Sequence, residues 1–187
     1  MAETTPPLPR HASTKYTALK TAALAFITAQ THNPSLEEGM DTAALKQLVT
    51  PTFSHTFGPH YAVSRAPKLQ GVFTIDGFIA HTQRMVPALE KWEMRVEGVS
   101  VDEVGEEVVV RVGYEMVVKG VGEGVRNEVV WWLGMEFEEG MGMGKEEGKG
   151  WKVGRSREVV DGVAAGRIGE LVSGVVERRN DTISVPD

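Results

Sequence analysis

The stretch WEMRVEGVSVDEVGEEVVVRVGYEMVVKG, residues 92–120, decides the fold. Trp92, Met94 and Val96 alternate with Glu93, Arg95 and Glu97, the period-two pattern of an antiparallel strand with one buried face. Asp102 to Glu106 contains a glycine and reads as a hairpin turn. Beyond it, Val108, Val110, Val112, Tyr114, Met116 and Val118 alternate with Glu107, Arg111 and Glu115, which predicts a second long strand. The glycine-rich turn KGVGEG (119–124) leads into RNEVVWWLGMEF (126–137), a third strand. There Asn127, Val129, Trp131, Leu133 and Met135 alternate with Glu128, Val130, Trp132 and Gly134. Both of its faces are apolar in places, so it is either central or part of a dimer contact. EEGMGMGKEEGKG (138–150) reads as a mobile, low-complexity hairpin loop without function, and WKVGRSREVV (151–160) as the fourth strand.

Upstream of this meander the period is helical. KYTALKTAALAFITAQ (15–30) places Tyr16, Leu19, Ala23, Phe26 and Ile27 on one stripe, with Ser13 or Thr14 as cap. Asp41 caps a short helix through Leu48 that stops before Pro51. FSHTF (53–57) alternates like a strand, with Phe53, His55 and Phe57 on one side. GPHYAVSRAPKLQG (58–71) reads as an irregular connection, and a third helix is predicted from Asp76 to Leu89, ended or kinked by Pro87. Asp161 to Val176 forms a closing helix weakened by four glycines, and residues 177–187 a polar, frayed tail. Residues 1–13, with prolines at 6, 7 and 9, form a disordered lead to a single domain over 14–176.

Helices segregated from a contiguous antiparallel sheet define an α+β class. A strongly curved sheet wrapped around the N-terminal helices makes a cone, and its concavity suits a small ligand. The 187 residues carry 20 Lys+Arg against 26 Asp+Glu, a formal charge of −6, so no nucleic-acid partner is expected. The absence of cysteine excludes disulfides, thiolate metal sites and a cysteine nucleophile. No apolar run approaches the ~20 residues that span a bilayer, and the first residues lack a signal peptide's apolar core, so a cytoplasmic protein without membrane association is expected. GxGxxG, P-loop, HExxH and GxSxG motifs are missing, so neither cofactor nor metal is expected. The chemistry left is proton movement.

FSHTFGP (53–59), FIAHTQRMVPALEKWEMRVE (78–97), RNEVVWWLGME (126–136) and REVVD (157–161), in this order of elements, resemble the nuclear transport factor 2-like superfamily. Within it the chain is similar to the SnoaL-like fungal isomerases and cyclases of polyketide and meroterpenoid pathways. The shared features are Ser-His before a proline loop, Ala-His on a helix before a proline, Arg-Asn-Glu opening an aromatic strand, and Glu-x-Val-Asp closing the last strand. Ser156 and Arg157 depart from the apolar–acidic pair usual before Glu158. The resemblance covers residues 15–175 and implies a cone-shaped fold and a cofactor-free enzyme acting on a polyketide- or terpenoid-derived intermediate. It also leaves two alternatives, a scytalone-type dehydratase and a non-catalytic ligand-binding or dimerisation module.

In such a cone His55, beside Phe53 and Phe57, is either a general acid–base or a buried histidine bonded to a carbonyl. His81, on the apolar stripe of the third helix, is the second candidate; His60, His11 and His32 read as surface residues. Glu158 shares a face with Ser156 and Val160; it either points into the cone, its pKa raised by apolar neighbours, or pairs with an arginine such as Arg65. Asp161 equally suits capping of the final helix. Arg65, Asn127 and Tyr114 either hold an oxyanion or carbonyl, or are turn residues in the case of Arg65 and Asn127 and a core residue with its hydroxyl at the rim in the case of Tyr114. Trp92, Trp131, Trp132 and Phe78 are expected either to wall a hydrophobic, polycyclic substrate or to serve as plain core. A homodimer through the sheet completes the expectation.

Overall fold

Ser13 starts the first helix as its side chain accepts a 2.9 Å hydrogen bond from the Tyr16 amide. Helix α1 (Thr14–Thr28) then buries Leu19, Ala23, Phe26 and Ile27 completely. A buried side chain the size of Leu, Ile or Phe contributes about 1.5–3 kcal/mol, so this stripe fixes the helix on the sheet. The structure is a computed structural model that describes residues 12–33, 35–36, 39–139 and 150–183, with side chains as far as residue 175. The proline-rich lead before residue 12 and residues 140–149 of the glycine-rich loop lie outside the described residues.

Asp41 caps α2 (Thr42–Gln47) through a 2.9 Å bond from the Ala44 amide, and β1 (Val49–Gly58) follows. Residues 58–71, read as irregular, instead hold α3 (His60–Arg65), with Pro59 at its N-cap, and a 3-10 turn at Pro67–Leu69. Proline is tolerated at helix starts because an N–H there has no intrahelical partner. Thr74 caps α4 (Ile75–Gln83), which ends short of the expected Leu89. Pro87 sits in a separate 3-10 turn, Val86–Ala88, and β2 (Leu89–Asp102) begins there. The meander continues through β3 (Glu107–Val118), β4 (Gly124–Glu138) and β5 (Gly150–Val160). Asp161 accepts bonds from the Val163 and Ala164 amides and caps α5 (Gly162–Ile183), which extends past the expected end at Val176.

The sheet order is β1-β5-β4-β3-β2. The last four strands form the expected antiparallel meander, but β1 joins β5 in parallel, so the sheet is mixed rather than wholly antiparallel. The sheet curves without closing and packs four of its strands, β2 to β5, against α1. Register shifts at Val96/Gly98 and Gly134/Met135 supply local bends. At the second, the Arg155 side chain lies where a Cβ on Gly134 would stand, only 2.5 Å from its Cγ, so a larger residue there would displace it. No helix among the described residues is long and apolar enough to cross a membrane.

Candidate active site

Strand register lays out the concave face. His55 stands beside Ser156 and Ser156 beside Leu133; Phe57 stands beside Glu158 and Glu158 beside Trp131. Farther along, Tyr114 lies between Asn127 and Met94. Residues directly opposite across a ladder share a face. Phe26 of α1 touches the Trp131 ring edge-on at 6.1 Å and stacks on Phe78 of α4, so this is the face the helices cover. A diagonal of polar groups thus crosses a wall otherwise made of Val, Leu, Met and aromatic side chains.

His55 is fully buried. Its Nδ1 makes a 2.8 Å hydrogen bond with Ser156 Oγ, while its Nε2 has no hydrogen-bond partner among the described residues. The ring packs between Phe57 and Phe78, each 4.5 Å away, with Trp131 at 5.8 Å. Burial, reinforced by His81, lowers the His55 pKa to about 3 and keeps the imidazole neutral at physiological pH. A neutral ring with Nδ1–H donated to Ser156 presents a lone pair at Nε2; the opposite tautomer presents a proton there.

Glu158 Oε2 faces that nitrogen from 3.9 Å, and 15% of its side chain remains accessible. Among the described residues no guanidinium pairs with it; the arginine alternative is not what the fold builds. Desolvation raises its pKa to about 8, so the carboxyl holds its proton at neutral pH. The two groups therefore sit opposed as neutral acid and neutral imidazole rather than as an ion pair.

Around them are more buried polar groups, some of them without a hydrogen-bond partner among the described residues. Tyr114 is buried, and its hydroxyl is held far above its ordinary pKa by burial and by Glu158. The Trp131 indole N–H acts on that hydroxyl in the opposite direction, partly offsetting the rise. Asn127 Oδ1 and Trp92 Nε1 are likewise buried and unpartnered, and the Trp92 and Tyr114 rings are 6.2 Å apart. His81, half-buried on α4, packs on Phe57 at 5.1 Å and Phe73 at 5.7 Å, with Nδ1 unpartnered. Burial, then Arg84 and Lys68, lower its pKa. Among the described residues no group of three or more His, Asp or Glu is arranged to hold a metal ion.

His55, Glu158, Tyr114, Asn127, Trp92 and Phe78 thus occupy the inner face, with His81 at its α4 side. Two expected residues do not. Arg65 ends α3 and is exposed, because that helix turns this side to solvent. Trp132 is 43% exposed on the outer face, opposite Val109 and Arg157; its neighbour Trp131, only 1% exposed, is the inner wall. Trp131 shares parity with Val129 and Leu133, and that alternation carried the signal. Ser156, absent from the expected site, is the direct partner of His55; its parity with Glu158 placed it there.

No family model matches the sequence, and neither does any curated protein. Solved structures do match. PrhC from Penicillium brasilianum NBRC 6234 superposes with a TM-score of 0.60 at 12% identity, over 86% of this chain and 91% of that one. BvnE pinacolase from Penicillium brevicompactum gives 0.59 at 13%, over 88% and 97%. A protein from Jannaschia sp. CCS1 carrying the name SnoaL-like polyketide cyclase gives 0.56 at 17%, over 84% and 94%. The fold is therefore the nuclear transport factor 2-like, SnoaL-like one expected from the sequence.

Proposed function

We propose that the protein is a cofactor-independent acid–base isomerase or cyclase acting on a hydrophobic, polyketide- or terpenoid-derived intermediate. The observation that carries this reading is the Glu158 carboxyl, its pKa raised to about 8, facing the unpartnered Nε2 of buried His55 across 3.9 Å. A proton carrier works best when its pKa lies near the operating pH, and Glu158 meets that condition where His55, near 3, does not. Glu158 as carboxylate takes the proton from a carbon beside a carbonyl, and the C–H electron pair moves into the enolate. The Tyr114 hydroxyl and Trp131 N–H donate to the enolate oxygen. Return of the proton to another carbon completes an isomerisation; attack of the enolate carbon on a second electrophilic carbon completes a cyclisation. His55, fixed by Ser156, stands ready to relay the proton on closer approach, and His81 stands as a further proton acceptor. The fold neighbours named as pinacolase and polyketide cyclase agree with this class of chemistry.

A scytalone-type dehydratase is the second reading, favoured by the packing of both His55 and His81 against Phe57, with ring centroids 4.5 and 5.1 Å away. Deleting the gene in its own organism and weighing the accumulated intermediate against the product separates the two. Equal masses support isomerisation or cyclisation, and an intermediate heavier by one water supports the dehydratase. The absence of any accumulated intermediate contradicts both. We also propose a homodimer through the outer sheet face, where exposed Trp132 stands among half-buried Val109, Val130 and Val159.

A further inference from the structure

We infer that the α4 edge of the inner face receives a carboxylate carried by the ligand, with His81 as its direct partner and Lys68 and Arg84 as the charges that favour it. This deepens the proposed function: it rests on that reading for the ligand's apolar body, and it names an acidic intermediate as the substrate class.

Among the described residues, the buried side-chain atoms without a hydrogen-bond partner are His55 Nε2, His81 Nδ1, Trp92 Nε1, Asn127 Oδ1 and Trp131 Nε1. Four of these residues are buried; His81 is half-buried, so its ring stands where the inner face meets solvent. As the Nδ1–H tautomer it donates a hydrogen bond, and its Nε2 keeps the lone pair of a proton acceptor. An acceptor on the ligand satisfies the nitrogen that is otherwise left unpaired. The His81 ring packs on Phe57 and Phe73, which are half-buried themselves and also touch His55, at 4.5 and 6.1 Å. An apolar body lying on these two phenyl rings joins the His81 edge to the His55–Glu158 pair.

Charge selects the acceptor. Residues 58–88, which hold α3, α4 and the two 3-10 turns, carry Arg65, Lys68 and Arg84 against Asp76 alone, in a chain of net charge −6. Asp76 is already paired with Lys46 at 2.8 Å. Lys68 and Arg84 are exposed and pair with no carboxylate among the described residues. Arg84 follows His81 by three positions at the end of α4, the spacing of neighbours on one side of a helix, and Lys68 acts on the ring from the turn Pro67–Leu69. Both cations hold the imidazole toward its neutral form, and no carboxylate opposes them. A bound carboxylate supplies that missing charge, and Glu158 does not repel it, because Glu158 keeps its proton at neutral pH. The carbonyl end of α4 favours Arg84 by itself, but this effect fades within one turn and does not account for Lys68. The same carbonyl end works against a multiply charged phosphate, which helix N-termini receive instead.

The test uses the full chain with its five histidines labelled with nitrogen-15, and three probes: 2-naphthoate, methyl 2-naphthoate and acetate. Naphthoate is expected to move the His81 ring signals, identified by their loss in His81→Gln, and to bind about tenfold or more tightly than its ester. Acetate, which has the charge without the apolar body, is expected to bind about tenfold or more weakly than naphthoate. Lys68→Gln and Arg84→Gln, both at exposed positions, are each expected to weaken naphthoate binding about threefold and to leave the ester unchanged. Naphthoate binding no better than its ester or than acetate, unmoved His81 signals, or undiminished naphthoate affinity in the variant carrying both substitutions overturns the inference. Glu158→Gln is expected to keep naphthoate binding, so failure of the proposed proton chemistry is read separately from failure of this site.

Discussion

Glu158 and His55 face each other across the β5–β1 boundary as two neutral groups, 3.9 Å from carboxyl oxygen to Nε2. Their separation exceeds a hydrogen bond, and an ion pair would require charging both groups in an apolar surrounding. Burial shifts the two pKa values in opposite directions, to about 8 and about 3, so the single proton rests on the carboxyl. That arrangement keeps a proton donor ready near neutral pH beside a nitrogen that has no other partner.

Stability must carry the mark of this pair. A carboxyl whose pKa rises from 4.5 unfolded to about 8 folded binds more protons in the native state, so its contribution is full below pH 4.5 and is lost as pH rises to about 8. His55, lowered from 6.5 to about 3, acts oppositely: its contribution is full above pH 6.5 and is lost as pH falls toward 3. Urea denaturation from pH 5 to 9 is expected to give Glu158→Gln a flatter profile than the wild type. At pH 9 the variant should be the more stable, by an amount on the order of a few kcal/mol.

Ser156 is the one hydrogen-bond partner of the buried imidazole among the described residues. Ser156→Ala leaves Nδ1 without one and is expected to cost about 1–3 kcal/mol in chemical denaturation. Turnover, once the substrate is in hand, should fall as well, because the ring is then free to rotate away from Glu158.

Trp131 touches Phe26, His55 and Phe78 and is 1% exposed. Trp131→Ala removes the floor of the inner face and is expected to destabilise the fold by about 3–5 kcal/mol. Thermal and urea unfolding measure this directly.

What the sequence disclosed follows from locality. Alternation over 92–118 and 126–137 reports a buried face within each strand, and Ser13, Asp41 and Asp161 report helix starts through bonds two to three residues long. The pairing of β1 with β5 joins His55 to Ser156 across more than a hundred positions, and no local pattern encodes its direction. Helix α3 is hidden by Pro59 and Pro67, which read as breakers but sit at starts, where they are tolerated. Trp132 misled because Val130 and Val159 make the outer face apolar too, so hydrophobicity alone does not say which tryptophan turns inward. Arg65 misled for a related reason: its residue type suits anion binding, but which side of α3 meets solvent is a tertiary fact.

The outer face gives a prediction of its own. Light scattering is expected to report twice the 20.4 kDa chain mass, and Trp132→Glu to return the protein to one chain mass with its secondary structure intact. A wild-type monomer contradicts the proposed dimer without touching the inner face.

The proton on Glu158 is followed most directly by carbon-13 titration of its side-chain carboxyl in the folded protein. A midpoint near 8, moving when His55 is replaced by Ala, is the result predicted here. A midpoint near 4.5, that of an ordinary solvated glutamate, would contradict the account.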